Sequence, residues 1–290
     1  MMDKIDIAFV ILHYLNDEDT IECVESIINK VDTDNYKVVI VDNGSDNGSI
    51  ERVINHFTDF NIIHYVMNKQ NLGFSRGFNC GIRYVRSMWD ARYIAVINND
   101  IILFSDNLLH VLNEKYLKYQ FAVFGPMIIT RDGDATTNPV RMTVKTLKEA
   151  QRDLKKTKVR LKLCNLHCEL IYDLFSRAYN AIMKKKKKAI VSDVIDCKLH
   201  GCFWVFSEKY FERFAGLKSL TFLYGEEDIL HRRVLHADMH TVYSPDYVVY
   251  HKEDGATDMV FKKSKEKREY IYKMRIKALQ AYIGFSESLK

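Results

Sequence analysis

Between residues 5 and 97, four short, mostly apolar strand-like runs alternate with three stretches of helical period. The runs cover 5–12, 36–41, 61–66 and 93–97. Each is short, lacks polar alternation and ends on turn chemistry, as expected of strands buried on both faces. The stretches between them are 17–29, with Ile21, Val24, Ile27 and Ile28 at helical spacing, then 49–57 and 73–89. Strands joined by helices of this length predict right-handed crossovers and a parallel sheet covered on both sides.

The pattern then breaks. Residues 143–188 are helical in character and close on a run of five lysines. From Arg141 to Ile190 there are fifteen Lys/Arg against four Asp/Glu, a surplus of 11 in a chain whose net charge is +5. The basic excess therefore sits in one block, and the remainder is acidic. After it, 201–206 and 241–250 read as strands with a helix at 226–236 between them. A last helix over 261–283 places Ile271, Met274, Ala278 and Tyr282 on one face.

Composition excludes several classes. With 47% apolar and 28% charged residues, the 290-residue chain lies far from the disordered regime. Three prolines and twelve glycines leave no flexible linker. No apolar run spans a bilayer and no signal-peptide pattern opens the chain, so the expected location is cytoplasmic. The six cysteines contain no C-x-x-C pair and are expected to be free, mostly buried thiols. Cys164, His167, Cys168, His200 and Cys202 could assemble a zinc site, although their spacing fits no strong template.

Polar residues at strand ends carry the chemistry. Asn98-Asn99-Asp100 follows the 93–97 strand directly, and a lone carboxylate between amides suits one divalent cation with phosphate oxygens and water filling its shell. Asp42-Asn43-Gly44-Ser45 ends the second strand; it is turn chemistry, and equally an acceptor for the N3–H of uracil or thymine. Both acids fall at the carboxyl edge of one sheet, where α/β folds bind ligands. The segment Asn71-Leu72-Gly73-Phe74-Ser75-Arg76 opens a helix with exposed N–H groups, either as a cap or as a phosphate-facing turn. In Glu226-Glu227-Asp228, acids suit a helix start, while mutual repulsion raises a carboxylate toward the range of a general base. Gly201 lets backbone approach a ligand, and Trp204 either stacks on a sugar or belongs to the core.

Taken in order, Asp-Asn-Gly-Ser, Asn-Leu-Gly-Phe with Gly-Phe-Asn-Cys-Gly, Ile-Asn-Asn-Asp, Glu-Glu-Asp and Tyr-x-x-His resemble the family 2 glycosyltransferases, nearest to their bacterial rhamnosyltransferase-like subgroup. The resemblance covers about 5–130 and 195–255. It implies an α/β GT-A fold with a mostly parallel Rossmann-like central sheet flanked by helices. Residues 1–140 would form its nucleotide-sugar-binding half and 191–255 its acceptor half, with a basic helical insertion at 141–190 and a basic C-terminal helix at 256–290. It further implies donor contacts from Asp42, Asn71, Gly73, Arg76, Asn98 and Asn99, and a Mn2+ or Mg2+ ion held by Asp100 and His251. Acceptor contacts would come from Gly201 and Trp204, and the base would be Asp228, with Glu227 second.

The expected activity is inverting transfer from a dTDP- or UDP-sugar to a glycan or lipid-linked acceptor, as in cell-surface polysaccharide synthesis. The basic block and Lys262, Lys263, Lys265 and Lys267 suit docking on an anionic membrane face, peripheral to the inner side of the cell membrane. Two rivals differ in testable ways. A sugar-nucleotide pyrophosphorylase needs a Gly-rich basic loop after the first strand, where His13-Tyr14-Leu15-Asn16 stands. A basic nucleic-acid-binding protein leaves the three aspartates unexplained, so no nucleic-acid partner is expected.

Overall fold

The computed structural model describes residues 2–166, 188–253 and 264–289. Nine strands form one sheet: β1 (Asp3–His13), β2 (Tyr36–Asp42), β3 (Ile63–Met67), β4 (Trp89–Asn98), β5 (Ile101–Leu103), β6 (Val123–Thr130), β7 (Val194–Ile195), β8 (Phe203–Ser207) and β9 (Thr241–His251). Their order is β3-β2-β1-β4-β8-β6-β9-β5, with β7 on β9. The first four are parallel, as the alternating pattern predicts. Antiparallel β8 then joins β4 to β6, and β6 and β9 are again parallel.

Continuous apolar runs divide by parity. Ile7, Phe9 and Ile11 of β1 join one core with α1 (Asp17–Lys30), α2 (Ser49–His56) and α4 (Leu108–Tyr119). Ala8 and Val10 face the other core, with α3 (Phe74–Met88), α6 (Glu208–Arg213) and α7 (Glu226–His236). Period-two alternation therefore serves two helical layers, and burial on both faces explains the absence of polar residues. Helix α1 starts where Asn16 accepts from the Asp19 N–H, with Asp17, Glu18 and Asp19 favoured by the dipole of its first turn.

Of the basic stretch, α5 (Leu147–Asn165) is described, opened by a capping box between Thr146 and Glu149. The rest, 167–187, lies outside the described residues, as do Lys262 and Lys263. The last helix, α8 (Ser264–Glu287), packs on α5 and α7 around Ala150, Ile229 and Tyr282. Strand β6, which periodicity did not single out, carries Gly125-Pro126, and its register with β9 shifts at Pro126/Met127. Among the described residues no helix is long and apolar enough to cross a membrane.

Candidate active site

Parallel β2, β1 and β4 end together, with His13 opposite Asp42 and Leu12 opposite Asn98. Beneath this edge a buried polar chain ties the strand ends to α1. The Thr20 hydroxyl donates to the Asn16 carbonyl at 2.9 Å and receives Asn99 Nδ2 at 3.1 Å. His13 Nδ1 lies 2.7 Å from the same hydroxyl, so Nδ1 donates there, leaving Nε2 to accept from Ser49 at 2.8 Å. Burial holds the His13 imidazole below its ordinary pKa, which keeps it neutral in this role. Asn99, expected at the donor, instead uses its side-chain amide on the β1–α1 loop.

Asp42 is buried, and its oxygens accept the Ser45 N–H at 3.2 and 3.3 Å. Beside it, Asn43 Nδ2 donates to Asn71 Oδ1 at 3.0 Å, while Asn43 Oδ1 accepts the Leu72 N–H at 3.1 Å. Asn71 Oδ1 also receives the Gly73 N–H at 2.8 Å, so the oxygen of its side chain frames this loop. Gly73 has φ 77°, and a Cβ there would sit 2.3 Å from the Phe222 carbonyl oxygen, so glycine is required. Arg76, one turn into α3, is exposed at the surface.

Asp100 follows β4 at a turn and is buried. Its Oδ2 is 3.2 Å from His251 Nε2, at the end of β9, while Oδ1 is buried with no hydrogen-bond partner. An orphaned carboxylate oxygen beside an imidazole is the donor set a divalent cation uses, so the residues fit Mn2+ or Mg2+. The His200 ring lies 5.7 Å from that of His251. His200 Nδ1 accepts the Cys202 N–H at 3.3 Å, so its Nε2 bears the proton, and burial lowers its pKa and keeps it neutral. The Cys202 carbonyl in turn receives the Asn98 N–H at 2.9 Å, joining this turn to the end of β4.

The three acids of α7 part company. Glu226 is buried, accepts from Thr221 at 2.9 Å, and is raised to about 7 by burial and by the neighbouring Glu227. Asp228, expected to be the base, is bound instead in a buried ion triad: Oδ1 lies 2.7 Å from Lys198 Nζ and Oδ2 2.8 Å from Lys145 Nζ. Burial alone would raise its carboxyl, but the Lys198 and Lys145 ammonium groups outweigh that and hold it below the ordinary range. Such a carboxylate is a poor proton acceptor. Glu227 turns the other way, toward Gly201, where a Cβ would stand 3.0 Å from Glu227 Oε1. The charge of Glu227 also acts on His200, which links it to the Asp100 side of the turn.

One expectation is corrected. Trp204 is fully buried, with ring contacts to Phe74 and Phe206, so it is a core residue and offers no face to a sugar. The cysteine–histidine zinc set does not assemble among the described residues. The cluster with ligand spacing there is His200, Cys202 and His251; Cys164 is a buried residue of α5, and His167 and Cys168 lie outside the described residues. The five described cysteines are free thiols, as expected. Lys145 and Lys198 were not foreseen as site residues, because nothing in their local sequence pairs them with Asp228.

The family model described as "Glycosyl transferase family 2" matches residues 9–214. No curated protein matches the chain. Among solved structures, GalNAc-T7 crystallised with UDP, GalNAc and Mn2+ aligns with TM-score 0.57 at 11% identity, covering 86% of this chain and 44% of that one. The S. aureus TarS 1-349 structure with UDP-GlcNAc aligns with TM-score 0.40 at 12% identity, over 49% of this chain and 39% of that one. The chain thus spans less than half the length of the GalNAc-T7 chain. The sheet order, the carboxyl-edge acids and the family match agree with one another, and the α/β architecture is that of the GT-A glycosyltransferases. The chain belongs to glycosyl transferase family 2.

Proposed function

We propose that this chain is an inverting glycosyltransferase that moves a sugar from a nucleoside-diphosphate donor to an acceptor hydroxyl. One observation carries the reading: the Gly201–Cys202 turn lies against both the Glu227 carboxylate and the Asp100–His251 pair. Asp42 would accept the N3–H of a uracil or thymine base, consistent with the UDP in the GalNAc-T7 structure. Asp100 and His251 would hold a divalent cation, which supplies charge neutralisation for the departing diphosphate. Glu227 would take the proton of the acceptor hydroxyl as its oxygen bonds to the anomeric carbon from the face opposite the diphosphate. The anomeric C–O bond to the diphosphate breaks as that bond forms, and Gly201 leaves room for the approach.

Replacing Glu227 by Gln tests this assignment. Turnover is expected to fall by about 10²–10⁴, while the thermal shift given by UDP with Mn2+ is retained. Wild-type turnover in that variant would remove Glu227 from the mechanism.

The basic residues Lys148, Arg152, Lys155 and Lys158 of α5 support a peripheral place on an anionic membrane surface and a lipid-linked or glycan acceptor in polysaccharide synthesis. Sedimentation with anionic but not neutral vesicles is the expected result; equal binding to both would sink this electrostatic account.

A further inference from the structure

Glu227 and Asp228 also line a cavity of about 520 Å³ between α5, α7 and α8. The carboxylates of its wall other than Glu227 are matched from within. Asp228 is held by Lys145 and Lys198, and Asp153 lies 3.5 Å from Lys145. Lys156 of α5 and Arg275 of α8 face the same space, and neither forms an ion pair among the described residues. The Arg275 guanidinium lies 5.4 Å from the centre of the Tyr224 ring, which steadies it beside the cavity. Thr157 and Tyr224 add hydroxyls to the wall. Two uncommitted cations on different helices lining one cavity, with the Tyr224 hydroxyl in the same wall, make a receptor for an anion of several oxygens.

We propose that this cavity receives the acceptor and that the acceptor carries a phosphoryl group, held between Lys156 and Arg275 while its free hydroxyl meets Glu227. The inference rests on the reading of Glu227 as the base. A planar carboxylate is satisfied by one guanidinium fork, whereas a phosphoryl group offers three acceptor oxygens and close to two charges, and so engages cations from both helices. The same chemistry arrives on a soluble sugar phosphate or on a phosphorylated lipid that also carries a hydroxyl. An apolar groove of about 370 Å³ beyond Ala278, lined by Leu220, Phe222, Tyr270 and Met274, gives the lipid form a place for its chain.

The test is calorimetric titration of the full chain, saturated with UDP and Mn2+ so that the donor site is filled. The probes are glucose 1-phosphate, decyl phosphate below its micelle concentration, and glucuronate as the carboxylate control. At least one phosphate is expected to bind, with glucuronate at least tenfold weaker. The double variant Lys156→Ala/Arg275→Ala should lose at least tenfold in phosphate affinity, with an unchanged melting temperature because both residues are exposed. Tighter binding of decyl phosphate identifies a lipid source, and tighter binding of glucose 1-phosphate a soluble one; either supports the proposal. No phosphate binding, glucuronate binding as tightly, or an unaffected double variant overturns it. A wild type that UDP and Mn2+ fail to stabilise would defeat the glycosyltransferase reading itself, separately from the phosphate result.

Discussion

Glu227 Oε1 lies 3.0 Å from the point a Cβ would occupy on Gly201. A methyl group there meets the tip of a flexible side chain, so the fold absorbs it while the carboxylate shifts. Gly201→Ala is therefore expected to leave the melting temperature nearly unchanged and to lower kcat by up to about 10², the cost of misplacing a catalytic group by roughly an ångström. Thermal unfolding and steady-state turnover measured together check it, and equal kcat would show that the carboxylate needs no such clearance.

Asp228 has the opposite profile. Removing a buried carboxylate that holds two ammonium groups leaves Lys198 uncompensated and Lys145 with only the longer contact to Asp153, at a cost on the order of 3–5 kcal/mol. Asp228→Asn should unfold at distinctly lower denaturant concentration, yet its folded molecules should turn over within about tenfold of wild type, unlike Glu227→Gln. Loss of turnover without loss of stability would return the base to Asp228.

Metal dependence is expected to reside in Asp100. Asp100→Ala should abolish the extra thermal stabilisation that Mn2+ adds to UDP, and His251→Ala should weaken it. Stabilisation by UDP alone should survive in both. An unchanged Mn2+ increment in Asp100→Ala would place the ion elsewhere.

Glu226 gives a pH signature with a definite sign. Its folded pKa of about 7 exceeds the ordinary carboxylate value, so the folded state binds the extra proton between those limits. Stability should therefore decline as pH rises from about 4.5 through 7. Glu226→Gln keeps the shape of the protonated acid and should flatten that decline, raising the melting temperature more at pH 8 than at pH 5. Parallel pH curves for the two proteins would contradict the assignment.

The central strands of the parallel half were legible because β1, β2 and β4 are buried on both faces along most of their length and so are written as largely apolar runs. Strand β6 was not, because Gly125-Pro126 interrupts its pattern where the register shifts. Asp42 and Asp100 could be placed from sequence, since strand ends fix the sheet edge. The different surroundings of Glu227 and Asp228 could not. Adjacent helical residues point about 100° apart, and what each meets depends on Lys145 and Lys198, far off in the chain. Trp204 was misread for a related reason. In a strand covered on both sides, alternation does not distinguish the site face from the core.

The joint between Gly73 and Phe222 has a mechanical corollary. The Phe74 N–H donates to the Phe222 carbonyl at 2.9 Å, and Asn79 clasps Leu217 through both its amide atoms, at 2.7 and 2.9 Å. The loop that opens α3, which Asn43 braces through Asn71 and Leu72, is thereby riveted to the one that leads into Glu227. Neither can swing without dragging the other, so the proposed nucleotide end and the proposed proton-accepting end are geared together through the backbone at a spot where no side chain fits.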